Sequence, residues 1–246
     1  MGPRLSYRFE KALLRGTVIS RPNRFIMIVK SHDGALRCHC PTTGRLGDVE
    51  PAGLPCLYSV ASNEQRKTAY TVEAISTSCG RSWIGINQTA ANRYIEFFLK
   101  NGSLTRLAAG EVRREVKLGE SRIDFLVGDT YIEVKTPLIM LPAGRAVATG
   151  RKSSRFDSFD RLIRHMGELR RSLSSGMNAK IILCYLYDAA PFRPPPLNGS
   201  NARILAAARS AEDAGVERWQ VNLKVSKEGV ALIRYFRSRP HTEGQT

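Results

Sequence analysis

The sequence has little of what secreted and membrane-spanning proteins are built from. Cysteine occurs five times in 246 residues, at Cys38, Cys40, Cys56, Cys79 and Cys184, an odd and scattered set without a CxxC pair. A disulfide framework is therefore not expected, and a reducing, cytoplasmic setting is. In the Cys38-His39-Cys40 run a strand would point the histidine away from both thiols, and no second ligand pair follows at zinc spacing. These cysteines are read as small buried hydrophobes. Long apolar runs are missing too: the longest, Ile181 to Tyr187, has seven residues, where a membrane-spanning helix needs about 20. The first residues form no apolar h-region, so no secretory signal is expected. The match of Met1-Gly2-Pro3-Arg4-Leu5-Ser6 to a myristoylation pattern is short enough to recur by chance. P-loop, dinucleotide glycine fingerprint and nucleophile elbow are all absent.

Negative charge is also scarce. Asp and Glu number 22 against 38 Lys and Arg, a net charge of +16. Such an excess calls for a polyanionic partner, most often nucleic acid. The basic residues are spread along the chain rather than gathered beside an apolar segment, which speaks against a membrane surface. An apolar fraction of 42% and a charged fraction of 24% are ordinary for a globular protein, and the length allows one large domain or two small ones.

Two patterns divide the chain near residue 82. Residues 13 to 80 read as five short strands (Leu14 to Ile19, Phe25 to Val29, Ala35 to Cys40, Leu54 to Val60, Ala69 to Ile75), with breaks such as Arg21-Pro22-Asn23 between them. Five strands without a long helix point to a small barrel or sandwich. From Asn87 the period changes: Ala91, Tyr94, Ile95 and Phe98 form a helical stripe that stops at Asn101-Gly102. Strands follow at Val112 to Leu118, Arg122 to Val127 and Tyr131 to Lys135. The basic stretch 139 to 155 reads as a loop. A second helix is expected from Phe156 to Leu173, with Phe156, Phe159, Ile163, Met166 and Leu173 on its apolar face, then a buried strand over Lys180 to Tyr187. A helix over 202 to 214 and strands over 218 to 225 and 230 to 236 complete an α-β-β-β-α-β, α-β order. The domains are placed at residues 1–82 and 83–246.

The run from Arg122 to Lys135 carries the chemistry. Two alternating segments flank Gly128-Asp129, the signature of a type II′ hairpin. That turn sets paired residues to sum to 257, so Asp124 is expected opposite Glu133, with Arg122 and Lys135 the next pair on the same face. Ile123, Phe125, Ile132 and Val134 are expected on the other, apolar face. Opposed carboxylates repel unless a cation joins them. Two acids beside a lysine suit metal-assisted phosphodiester cleavage: carboxylate oxygens hold Mg²⁺ or Mn²⁺, and an ammonium orients the attacking water. A second Glu-x-Lys, Glu115-Val116-Lys117, lacks an opposed acid. Glu96 on the first helix lies well away from the apolar stripe; it is held open as an added metal ligand and is otherwise a solvated glutamate. His165 falls on the polar side of the second helix, an exposed histidine within reach of phosphate. Arg113, Arg122 and Arg161 are candidates for a nucleic-acid groove, and so are Arg45, Arg66 and Lys67 in the turns of the front half. Phe25, Tyr58 and Tyr70 offer rings for base stacking, though as core residues first.

These motifs sit among further runs that resemble the sugar fermentation stimulation protein family: His39-Cys40-Pro41-Thr42-Thr43-Gly44-Arg45, Arg66-Lys67-Thr68-Ala69-Tyr70, Trp83-Ile84-Gly85-Ile86-Asn87, Ala91-Asn92-Arg93, and Glu115 through Lys135. The resemblance covers nearly the whole chain. It implies an OB-like N-terminal barrel followed by an α/β domain of the PD-(D/E)XK nuclease type with an αβββαβ core. Asp124, Glu133 and Lys135 then match that superfamily's motif residues, and the implied partner is nucleic acid, DNA ahead of RNA. The chain departs from the family's usual residues at Thr42, Gln88 and Thr136-Pro137-Leu138, and it has largely lost a Phe-Pro-Asp-Ala segment between 145 and 162. Two functions follow as expectations: a metal-dependent nuclease, or a non-catalytic nucleic-acid-binding regulator of sugar metabolism that retains a relic of the site.

Overall fold

The structure is a computed structural model that describes residues 5–42, 46, 49–61, 67–139, 141, 158–195, 197–199 and 201–238. A short strand, β1 (Ser6–Arg8), precedes the five of the front half: β2 (Leu14–Asn23), β3 (Ile26–Ser31), β4 (Gly34–His39), β5 (Pro55–Val60) and β6 (Tyr70–Ile75). They run β4-β3-β2-β5-β6, and a parallel pairing of β4 with β6 closes the ring into a five-stranded, OB-like barrel. Closure leaves no barrel edge open. The break expected at Arg21-Pro22-Asn23 lies inside β2. Register shifts at Val18/Ser20 and Ser20/Asn23 take up the proline, which has no N–H for the ladder.

Alternation in β4 puts Cys38 and Cys40 at 0% exposure with His39 only half-buried between them. Burial raises the Cys38 thiol to about 11 and Cys56 to about 12. Cys184 is likewise in the core, whereas Cys79 is exposed.

The rear half is a seven-stranded sheet in the order β1-β13-β12-β11-β10-β9-β8. Its strands are β8 (Val112–Leu118), β9 (Ser121–Val127), β10 (Thr130–Lys135), β11 (Asn178–Tyr185), β12 (Glu217–Val225) and β13 (Gly229–Arg237). Helix α1 (Ala91–Lys100) covers one face; α2 (Ser158–Leu173) and α3 (Ala202–Asp213) cover the other. The expected α-β-β-β-α-β, α-β order is the observed one. Ala91, Tyr94, Ile95 and Phe98 are the buried stripe of α1, packed over Phe125, Ile132, Val134 and Ile182, each such side chain stabilising by roughly 1.5–3 kcal/mol. Strand β11 is buried on both faces: Ile182 and Cys184 lie under α1, and Ala179 and Ile181 lie against α2 and α3. This is why its sequence reads as an unbroken apolar run.

Two strands cross the boundary drawn at residue 82. β1 adds to β13 in the rear sheet, with Ser6 opposite Ala231, and β7 (Ile84–Gly85) adds to β6 of the barrel. The halves share their packing. Tyr185 and Tyr187 join Met27 and Val72 in the barrel cluster, and the Gly85 N–H donates to the Leu186 carbonyl at 2.9 Å. A Cβ at Gly85 would stand 2.4 Å from the Leu186 Cβ, so glycine is what lets the two backbones touch. Among the described residues, no helix is long and apolar enough to cross a membrane.

Candidate functional site

Gly128 starts the central hairpin with φ +57°, while Asp129 stays outside the left-handed region, as a II′ turn requires. A side chain at Gly128 would also collide with the Ala109 carbonyl, 2.7 Å from its Cβ position. The expected register holds for Val127–Thr130, Leu126–Tyr131 and Phe125–Ile132. The pairing ends there, one step short of Asp124 and Glu133. Asp124 Oδ2 accepts the Val134 N–H at 2.7 Å, taking the bond that the Ile123 carbonyl would receive in a continued ladder. β9 stays paired with β8 while β10 follows β11 as far as Lys135–Leu183. The two strands thus fork at the acid pair.

The fork corrects three expectations, the first being that Asp124 and Glu133 are a ladder pair. Arg122 does not face Lys135; it faces Lys117 of β8, and both are exposed. Ile123 does not share a face with Phe125: it packs with Met166 and Leu169 of α2, and Phe125 lies under α1. The same reversal occurs across the ladder. In β8, Val112 packs in the α1 cluster and Leu118 in the α2 cluster, with Glu115 between them at φ +51°. Strand alternation cannot change face without such an irregular residue. Both strands turn over at the Glu115–Asp124 level, which frees Asp124 to enter the fork.

Asp124 Oδ1 accepts from Asn92 Nδ2 at 2.7 Å, so the first turn of α1 and the β10 backbone hold one oxygen each. Glu133 is 2% exposed. Its Oε1 accepts from Lys135 Nζ at 2.5 Å and lies 2.6 Å from His165 Nδ1; with the carboxylate ionised, Nδ1 is the donor. Its Oε2 is buried with no hydrogen-bond partner among the described residues. Burial, reinforced by the Glu133 charge, pushes the Asp124 carboxyl above its ordinary range against the bonds from Val134 and Asn92. For Glu133 burial acts upward as well, but the His165 hydrogen bond and the Lys135 charge outweigh it and hold the group below its ordinary range.

His165 is 6% exposed, not the surface residue expected. Of the expected apolar face, Met166 and Leu173 pack in the α2 cluster, and the buried face also takes in His165, Leu169 and Ser172; Phe156 and the Phe159 side chain lie outside the described residues. Glu96 pairs with Lys100 at 2.8 Å and Arg114 at 3.1 Å, and the α1 residue that reaches the acid pair is Asn92, one turn earlier. Arg113, Arg161 and Lys67 are exposed; Arg45 and Arg66 lie outside the described residues. Tyr58 is core, Tyr70 half-buried, and Phe25 is 42% exposed beneath the Arg24 guanidinium. Gln88 and Thr136, two of the departures noted above, meet: Gln88 Nε2 donates to the Thr136 carbonyl at 2.5 Å, tying the segment after Lys135 to the turn before α1.

Among the described residues, no group of three or more His, Cys, Asp and Glu side chains comes together to hold a metal ion. What the fork offers is two coupled carboxylates with one buried oxygen unsatisfied, an ammonium beside them, and open lone pairs on oxygen. That donor set suits a hard cation that keeps several of its waters.

Known proteins resemble this chain in sequence and in structure. Residues 19–86 match the model of the SfsA N-terminal OB domain, and residues 89–229 match that of the sugar fermentation stimulation protein RE domain. A sugar fermentation stimulation protein homolog of Synechococcus sp. (strain JA-2-3B'a(2-13)) is 32% identical over 93% of this chain and 94% of its own. One from Methylobacterium radiotolerans is 29% identical over 92% and 95%. Among solved structures, Pyrococcus furiosus SfsA, described in complex with Ca²⁺, superimposes with a TM-score of 0.73 at 22% identity, covering 96% of this chain and 100% of that one. On the two domain matches and the relatives that span nearly its whole length, the chain belongs to the sugar fermentation stimulation protein family.

Proposed function

We propose that this protein is a nucleic-acid-binding phosphodiesterase, DNA ahead of RNA, that works with Mg²⁺ or Mn²⁺ at the fork between β9 and β10. The observation that carries this reading is Glu133: a buried carboxylate kept ionised by Lys135 and His165, one oxygen unsatisfied, electrostatically coupled to Asp124. An unpaired buried carboxylate oxygen is costly unless a cation completes it. The Ca²⁺ of the Pyrococcus furiosus relative supports an oxygen-ligated cation in this fold, and the PD-(D/E)XK resemblance of Asp124, Glu133 and Lys135 supports cleavage. The +16 charge, with Lys117 and Arg122 side by side on neighbouring strands, supports a phosphate backbone as partner.

Asp124 and Glu133 would hold the cation, which supplies Lewis-acid polarisation of the phosphate and a more acidic water. Asn92 and His165 act through the carboxylates as positioning residues, fixing Asp124 and Glu133 respectively. Lys135 balances the Glu133 charge and stands ready to orient the attacking water and offset charge on the pentavalent phosphorus. With purified protein and a labelled DNA strand, cleavage is expected with Mg²⁺ or Mn²⁺ and none in EDTA, and binding should weaken steeply between low and high salt. Intact substrate with every metal would sink the enzyme reading, and salt-independent binding would sink the partner. A regulator that binds without cutting is the second reading, favoured by one observation: both Asp124 oxygens already carry hydrogen bonds.

Cation affinity should also depend on pH in a particular way. A carboxyl raised above its ordinary pKa takes up its proton at a higher pH, and a cation must then displace that proton. Calorimetric Ca²⁺ titrations across the acidic range should show affinity falling first as Asp124 protonates, at a higher pH than an ordinary aspartate allows. Glu133, held low, remains ionised through that fall. Affinity lost only where ordinary aspartates titrate would contradict the assignment.

A further inference from the structure

A second cavity lies beside the fork. The first turn of α1 separates the two: Asn92 reaches Asp124, and the next residue, Arg93, lines a cleft of about 620 Å³ between the barrel, residues 7–13 and the turn before α1. That volume is in the range of small-ligand sites. Its polar wall is built rather than incidental. Glu73 of β6, 7% exposed, accepts from Ser59 Oγ and from Asn87 Nδ2, each at 2.7 Å, leaving each carboxylate oxygen a second lone pair. Thr71, 5% exposed, lines the cleft beside it, with its hydroxyl oxygen buried and without a hydrogen-bond partner among the described residues. The opposite wall is aromatic: the Tyr7 and Phe9 rings stand 5.9 Å apart, and the Arg93 guanidinium lies 5.6 Å over Tyr7. Lys11 and Arg114, the latter paired with Glu96, add positive charge to a lining that also holds Glu10.

An aromatic wall, a carboxylate facing it, and cations around them match a nucleotide: a flat ring to stack, ring-edge N–H donors for the carboxylate, and a phosphate for the basic residues. We propose that this cleft takes one nucleotide, base inward, with Glu73 reading the base edge. Guanine suits it best, because its ring N–H and exocyclic amino group are adjacent donors that a carboxylate can accept together; thymine has no amino group to offer. The proposal rests on the nucleic-acid reading above and adds a position where a strand held at the fork is gripped and selected.

Two sources share this chemistry, a nucleotide within a strand and a free one, and one experiment separates them. In EDTA, so that cleavage does not intervene, fluorescence anisotropy of the full chain is measured with short oligo-dT and with the same strand bearing a central guanine; GMP is titrated separately by calorimetry. The guanine strand is expected to bind about tenfold tighter, the discrimination of one good bidentate contact. Glu73→Gln should remove that preference while leaving oligo-dT affinity in place. Ala12→Trp, on an exposed residue lining the cleft, should do the same by filling it, and serves if Glu73→Gln does not fold. GMP binding that Ala12→Trp abolishes, without strand preference, identifies free nucleotide as the occupant. The proposal is overturned if the parent neither prefers guanine nor binds GMP, if folded variants keep the parent's preference, or if they lose all strands equally. A parent that binds no strand at any salt defeats the functional reading instead, and GMP alone then decides the cleft.

Discussion

Glu133→Gln is expected to cut metal-dependent cleavage by about 10²-fold or more, since a metal's stabilisation of transition-state charge amounts to several kcal/mol. It should weaken divalent-cation binding as well, while affinity for nucleic acid is kept or raised. The sign of the last effect is the informative one. A carboxylate near phosphate repels it, so neutralising Glu133 removes repulsion and catalysis together. Loss of cleavage with equal loss of strand binding would mean that the side chain serves the fold or the binding surface. Lys135→Ala should separate the roles differently, sparing much of the cation affinity and losing rate, because Lys135 touches Glu133 through Oε1 and leaves Oε2 alone. Parallel rate and calorimetric measurements on the two variants decide the matter, and equal cleavage by Glu133→Gln and the parent would mean that the fork does not carry the reaction.

Phe125→Ala should have the largest effect on stability, about 3–5 kcal/mol, the cost of emptying a fully buried aromatic site. Phe125 is at 0% exposure in the cluster beneath α1, and it is also the last β9 residue paired to β10 before the fork. Denaturant unfolding of a folded variant should show the lower midpoint, and cleavage should fall further than the folded fraction does, because Asn92 and Asp124 are aligned by the packing of α1 on Phe125. A shift below about 1 kcal/mol would mean that the layer under α1 collapses to fill the space.

The strands, the helices and the hairpin were legible because each is a local pattern: alternation, a 3.6-residue stripe, a Gly-Asp turn between two apolar runs. The same turn marked Asp124, Glu133 and Lys135 as neighbours, though the register it sets ends one pair short of the two acids. What surrounds them was not legible. His165 binds Glu133 across 32 positions and Asn92 binds Asp124 across the same separation, and no periodicity within a helix specifies which strand its polar residues will meet. The expected apolar face of α2 holds at Met166 and Leu173; the buried polar residues beside it, His165, Glu168 and Ser172, all under 9% exposed, have no hydrophobic signature to find. Asn92 did carry a signal, a small polar residue next to the buried Ala91 at the start of the stripe. The fork itself was hidden because strict alternation predicts a continuous ladder, and the reversal depends on a left-handed Glu115, a conformation that glutamate does not advertise.

The pairing of β1 with β13 has a consequence for the order of assembly. The barrel strands are complete at Ile75, so that half can close while the rest of the chain is still being synthesised, through contacts of modest sequence separation. β1 cannot: Ser6, Tyr7 and Arg8 wait for Ala231, Val230 and Gly229, which are synthesised long after the barrel strands. Tyr7 and Phe9, which wall the cleft beside α1, are therefore delivered to it by a late long-range closure, and a nascent chain halted before β13 would carry a finished barrel with no cleft. Refolding followed by a probe of Tyr7 should trail that of Tyr58 in the barrel core, with the slow phase set by closing the β1–β13 loop.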